Sequence, residues 1–231
     1  MSNDAIRLVL PVALKEVFDS IAPTFTDVTG HRFHVELMLN PEVPAHIASG
    51  AAWSIALSNP QYIQAVVDAF PCDGGVQSLG YAPLCLAVNT RPNTSPLQHP
   101  REIASVLVGA ETIALTTGGT SSAQFARLAE SLGITKEMDP KLRWLPGGGP
   151  AAALRKGDVD IAVLPLTNVA SVPGLYARAI CPLDMDVQVD LAFCVSARAT
   201  VATRQFAEWL IAPELDDRMW DLGVRRNVAE R

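Results

Sequence analysis

The sequence predicts an α/β protein of two lobes, each a mostly parallel sheet flanked by helices. Three observations lead there. Short apolar runs alternate with amphipathic, helix-like segments from residue 6 onward. The alternation breaks off near 78–90 and then begins again as a second set. A last apolar run at 187–197 and the helical segment after it have no third set to join, so they are expected to return to the first.

Residues 6–12 (IRLVLPV) read as a strand, and 14–30 as a helix stopped by Gly30. A second strand follows at 31–40, then a short helix at 41–50 ending on Gly50, a third strand at 53–58 and a helix at 60–70. After the break at 78–90, the proline-rich stretch 92–107 leads into a helix. The second set runs strand 112–117, helix 121–133, strand 142–147, helix 149–158 and strand 159–166. The final helical stretch, 199–224, is interrupted near Pro213. The economical division places 1–84 and 190–231 in lobe one and 85–189 in lobe two, with crossover strands near 80–90 and 185–195.

A chain of 231 residues, 49% hydrophobic and 18% charged, can bury a substantial core and is not disordered. Its formal net charge of -6 and lack of a basic run exclude a nucleic-acid partner, which needs clustered Lys and Arg. No apolar stretch reaches membrane-spanning length, so no membrane insertion is expected. The N-terminus lacks a basic leader region and reads as a first strand; a cytoplasmic chain is expected, periplasmic if a signal peptide has been removed. Cys72, Cys85, Cys181 and Cys194 form no CxxC pair, and Cys85 and Cys194 sit in apolar runs that suit buried thiols. His31 and His34 point to opposite faces of their strand. No metal site and no cofactor are expected.

Two glycine-rich helix starts carry the functional reading. In TTGGTSS, residues 116–122, Gly118 and Gly119 precede three hydroxyl residues, Thr120, Ser121 and Ser122, at the head of a helix. Ordinary capping needs one of these; the surplus suits an anion held by helix N–H groups and hydroxyls. In LPGGGPAAAL, residues 145–154, Gly148 and Gly149 precede Pro150, fit either for a flexible turn or for a contact loop. No Gly-Lys-Ser/Thr follows either stretch, and there is no G-x-S-x-G or H-E-x-x-H. His46, with Glu36 near it, is the best candidate for a catalytic base. Tryptophans 53, 144, 209 and 220 read mostly as core, with Trp53 also placed to press on a ligand.

The segment RQFAEWLIAPELDDRMWDLGV, 204–224, resembles the closing helices of type II periplasmic binding proteins, with Phe206, Trp209 and Leu210 before Pro213-Glu214 and a second helix ending at Gly223. Residues 8–37, IASGAAWSIALS (47–58) and AAALRKGDVDIAVLPLT (151–167) are similar to segments of the molybdate-binding branch, the substrate-binding proteins of ABC transporters. The resemblance covers most of the chain. It implies a small anionic ligand, a carboxylate or other oxyanion, held in a cleft between the lobes, and an ABC permease as partner if the chain is exported. The residues expected to hold that ligand are Val12, Ala13, Asn40, Ser58, Gly118, Gly119, Thr120, Ser121, Ser122, Gly148, Gly149 and Thr167. Ala13 and Asn40 stand where the branch has serines, so two hydroxyl donors to a tetrahedral oxyanion are missing and an organic carboxylate fits better than molybdate. Aconitate isomerases resemble the same branch, and an isomerase of a small di- or tricarboxylic acid is therefore the alternative.

Overall fold

A computed structural model describes residues 5–226. Residues 1–4, part of the segment read as a first strand rather than a leader, and 227–231, the end of the expected lobe one, lie outside the described residues. Contacts divide the described chain into two compact units. Unit 1 gathers 5–80, 190–220 and 226; unit 2 gathers Tyr81–Val189 and Asp221–Arg225. The boundary thus falls at Gly80, and five residues of the C-terminal segment go with unit 2.

Unit 1 begins with β1 (Ile6–Pro11), α1 (Lys15–Thr29), β2 (Phe33–Met38), α2 (Val43–Ala48), β3 (Ile55–Ser58), α3 (Pro60–Ala69) and most of β4 (Cys72–Ala82). Strands β1, β2 and β3 are parallel, with Pro11 opposite Met38 and Val9 opposite Ala56. β1 is apolar at nearly every position because both of its faces are covered. Val9 joins Val43, Ile47, Ala56, Ile63 and Val66 under α2 and α3. Leu8 and Leu10 point the other way and line a small apolar cavity of about 20 Å³ with Leu14, Phe18 and Phe206. Gly30, at φ 74°, ends α1 as its sequence predicts.

In unit 2 the elements are β5 (Leu84–Val88), α4 (Pro100–Gly109), β6 (Ile113–Thr116), α5 (Thr120–Ser131), α6 (Thr135–Met138), β7 (Leu142–Leu145), α7 (Gly149–Lys156), β8 (Ile161–Pro165) and β9 (Tyr176–Ile180). Here β6 runs parallel to both β7 and β8. Alternation along β6 feeds two cores: Ile113 and Leu115 pack with Phe125 and Leu128 of α5, Ala114 with Leu154 of α7. The chain then returns through β10 (Val189–Ser196) to α8 (Val201–Leu210) and α9 (Asp216–Asp221), split at Pro213 by a 3₁₀ turn. Phe206 and Trp209 of α8 pack in edge-on and tilted contacts among Phe25 and Phe33, closing the aromatic half of the unit 1 core. Burying a phenylalanine such as Phe206, 1% exposed, contributes about 1.5–3 kcal/mol.

The sheets keep the expected parallel parts, β1–β3 in one and β6–β8 in the other, and are completed as mixed sheets. Their orders are β2-β1-β3-β10-β4 and β7-β6-β8-β5-β9, and β10 on β3, β5 on β8 and β9 on β5 are antiparallel. Strands β4 and β9 have no clear alternating signal in sequence; β4 carries Gly74 and Gly75 at φ 70° and 65°, and most of its side chains are half-buried or exposed. Two tryptophans expected in the core are exposed. Trp144, on edge strand β7, is 54% exposed, and Trp220, in the short α9, is 58% exposed. Trp53 packs edge-on to Phe70 in the unit 1 core.

Candidate functional site

Parallel strands end at one edge of a sheet, and loops and helix starts collect there. In unit 1 that edge follows Pro11, Met38 and Ser58. Val12 and Ala13 form the 3₁₀ turn after β1 and are half-buried. Asn40, 6% exposed, begins the turn after β2, and Ser58, fully buried, closes β3. The Ser58 hydroxyl lies 2.9 Å from Asn40 O and 3.0 Å from Asn40 Oδ1, so its proton is shared between two acceptors of one residue. That arrangement turns the Asn40 Nδ2 donors away from Ser58. Asn59, 2% exposed and missed in the sequence reading, donates from Nδ2 to Asp190 O at 2.6 Å and so ties the β3 end to β10. The Asn-Pro step before α3 is the signal that could have found it.

In unit 2 the corresponding edge follows Thr116, Leu145 and Pro165. The first two loops are tied together, since Thr117 N donates to Leu145 O at 2.7 Å. Gly118 and Gly148 hold φ of 70° and 78°, the left-handed region that glycine reaches without strain. Gly119, not a hydroxyl residue, is the N-cap of α5, and Thr120 is its first helical residue. The expected cap by Thr120 is therefore replaced by a backbone turn, in which Gly119 N donates to Thr116 O and Ser122 N to Gly119 O.

The three hydroxyl residues take different parts. The Ser122 hydroxyl donates to Thr116 O, so its proton is committed inside the turn and Ser122 positions the helix start. Ser121 is 6% exposed and keeps its hydroxyl outside that bond. Gly119 and Gly149 are explained by packing: a Cβ on Gly119 would meet Thr116 Cβ and Cγ2 at 3.0 Å, and one on Gly149 would meet Leu145 Cβ at 2.8 Å. Thr116 is the residue here that sequence reasoning missed; its carbonyl carries no sequence signal.

Thr167 lies in the 3₁₀ turn after β8, fully buried, and its Oγ1 has no hydrogen-bond partner among the described residues. A buried hydroxyl left unpaired is rare and calls for an explanation such as a ligand or water. Its backbone is closely covered. A Cβ on Gly223 would stand 2.8 Å from Thr167 N and 2.7 Å from the Leu166 carbonyl carbon, so only glycine fits.

His46 and Glu36 are brought together in an open surface pocket that Met38, Glu42 and Ser49 also line. Glu36 lies within β2, on the α2 side, with His46 Nε2 2.6 Å from Oε2 and His34 Nε2 3.5 Å from Oε1. His46 Nε2 makes no directed hydrogen bond there, so the pair is a close contact rather than a proton-sharing one.

The sequence model of the bacterial extracellular solute-binding proteins matches residues 6–219, nearly the whole chain. The chain belongs to that family. A comparison with curated protein sequences finds no match. Among solved structures, the periplasmic molybdate-binding protein of Azotobacter vinelandii superposes with a TM-score of 0.79 at 14% identity, covering 95% of this chain and 98% of that one. The sulfate-binding protein SubI of Mycobacterium tuberculosis H37Rv gives 0.73 at 11% identity, over 97% and 88%. PEB3 with bound L-phospholactate, a Campylobacter jejuni protein, gives 0.71 at 14% identity, over 96% and 100%. At these identities the likeness is one of fold. This solute-binding protein has, among its described residues, no helix long and apolar enough to cross a membrane.

Proposed function

We propose that this solute-binding protein captures a small oxyanion or organic carboxylate and presents it to an ABC permease on the outer side of the bacterial membrane. The observation that carries the reading is the buried, unpartnered Thr167 hydroxyl at the carboxyl edge of parallel strands. Ser121 shares that edge, and in unit 1 the Asn40 amide occupies the equivalent edge. All are uncharged donors. A charge-assisted hydrogen bond from each contributes about 1.5–3 kcal/mol. The relatives described as molybdate-binding, sulfate-binding and L-phospholactate-bound support an anion. Within that class an organic carboxylate is favoured over molybdate, because Val12 and Ala13 give the first loop no hydroxyl.

The test is a melting-temperature screen over molybdate, tungstate, sulfate, phosphate and small mono-, di- and tricarboxylates, with calorimetry on any hit. A ligand at a hundred times its dissociation constant stabilises by about 2.7 kcal/mol, roughly 5–10 °C for a chain of this size. A carboxylate hit supports the reading. Tight molybdate binding would overturn the carboxylate preference, and a panel without any shift would overturn the reading itself.

A further inference from the structure

We propose that Cys72 and Cys194 are a latent disulfide, closed by a small-molecule disulfide oxidant outside the cytoplasm. The four cysteines are all reduced thiols. Cys72 opens edge strand β4 and Cys194 lies on β10, its neighbour in the sheet. Ala197 N donates to Pro71 O at 3.0 Å, which sets the start of β4 against the end of β10. Cys72 packs against the cluster of buried side chains that contains Cys194, so both point to one face. The two thiols are within hydrogen-bond reach of each other. The other two are neighbours that face apart: Cys85 and Cys181 belong to cores on opposite faces of the unit 2 sheet.

Access and acidity fix the order of events. Cys194 is fully buried, and burial pushes its thiol far above the ordinary range. Cys72 is half-buried, also raised by burial but eased by the Cys194 hydrogen bond, so it reacts first. Its thiolate attacks one sulfur of a disulfide such as oxidised glutathione and releases one glutathione thiol, leaving a mixed disulfide. Cys194 then gives up its proton and attacks the Cys72 sulfur, releasing the second glutathione thiol. Two protein thiols lose two electrons and two protons, and the oxidant gains both. The family is extracellular, and outside the cytoplasm a disulfide once formed persists. The bridge would fasten edge strand β4 to β10.

The experiment treats the native, folded protein with oxidised glutathione at mildly alkaline pH and follows intact mass, peptide mapping and melting temperature. Expected are the loss of two hydrogens, a single Cys72–Cys194 cross-link, and a rise in melting temperature of about 5–10 °C that dithiothreitol reverses. Cys72→Ser, at the half-buried position, should fold normally and show neither the cross-link nor the rise. Glutathione remaining on Cys72, a bridge between any other pair, or a Cys72–Cys194 bridge that forms only in urea would each overturn the proposal. The mass readout on the unsubstituted protein stands whatever the variant does.

Discussion

Ser58 shares one hydroxyl proton between the main-chain oxygen and the Oδ1 of Asn40, joining the ends of β3 and β2 inside unit 1. Ser58→Ala removes that donor and leaves two buried acceptors of Asn40 without it. The expected cost is about 1–3 kcal/mol of stability, read from urea unfolding at constant slope. Asn40 loses what fixes its amide, so affinity for the ligand found by screening should also fall. A variant as stable as the parent would show that water replaces Ser58 without loss.

Ser121 and Ser122 are adjacent in sequence, yet the structure separates their parts. Ser122→Ala forfeits the bond to Thr116 O and should lower stability by about 1 kcal/mol. Ser121→Ala should leave stability within about 0.5 kcal/mol and weaken ligand binding about tenfold, as expected when a charge-assisted bond is lost. Calorimetry and melting curves on the two single variants separate the effects. Equal loss of affinity in both would return Ser122 to the ligand.

The order of strands and helices in the parallel parts was legible because the central strands there, β1 and β8, are buried on both faces and read as apolar runs at 6–12 and 159–166. Strand β4 was not, because Gly74 and Gly75 and half-buried side chains give no period. The glycine-rich stretch at 116–122 announced a helix start. It could not announce that the Ser122 proton goes to a carbonyl six residues back, since a backbone acceptor leaves no mark in the sequence. Nor could it show that a Cβ at position 119 would press on the Thr116 side chain, a contact made only once the turn is folded.

Asp160 ties the amino end of β8 to that of β6. Its Oδ2 accepts from Thr112 N and Glu111 N, both at 2.9 Å, and from Thr112 Oγ1. The Thr112 amide above all holds its carboxyl below the ordinary carboxylate range. A depressed carboxyl stabilises the fold above its unfolded pKa of about 3.9, and that contribution is lost as pH falls through the lower folded value. Asp160→Asn should therefore lower the melting temperature at pH 7, with the gap to the parent closing below about pH 4. The group is exposed, so the gap is small, within the usual range of about 0–1 kcal/mol for such surface interactions. A gap that widens in acid would contradict this.

Thr167 offers the sharpest separation of stability from binding. Its hydroxyl is buried and unpaired, an arrangement that costs about 1–3 kcal/mol in the free protein if nothing fills it. Valine has nearly the same shape and no polar atom to desolvate. Thr167→Val should thus leave the ligand-free protein as stable as the parent or more so, by up to about 2 kcal/mol. The same change removes a donor or acceptor from the ligand and should weaken binding at least tenfold. The backbone there is clamped by Gly223, whose added Cβ would meet Thr167 N at 2.8 Å, so the turn itself should not move. Melting curves with and without the ligand found by screening report both quantities in one experiment. If the valine variant is destabilised without ligand, the hydroxyl has a hydrogen-bond partner in solution, a bound water, and its place in ligand capture loses its support. If it is stabilised but binds as tightly as the parent, the buried hydroxyl is a relic of packing, and capture rests on Ser121 and Asn40.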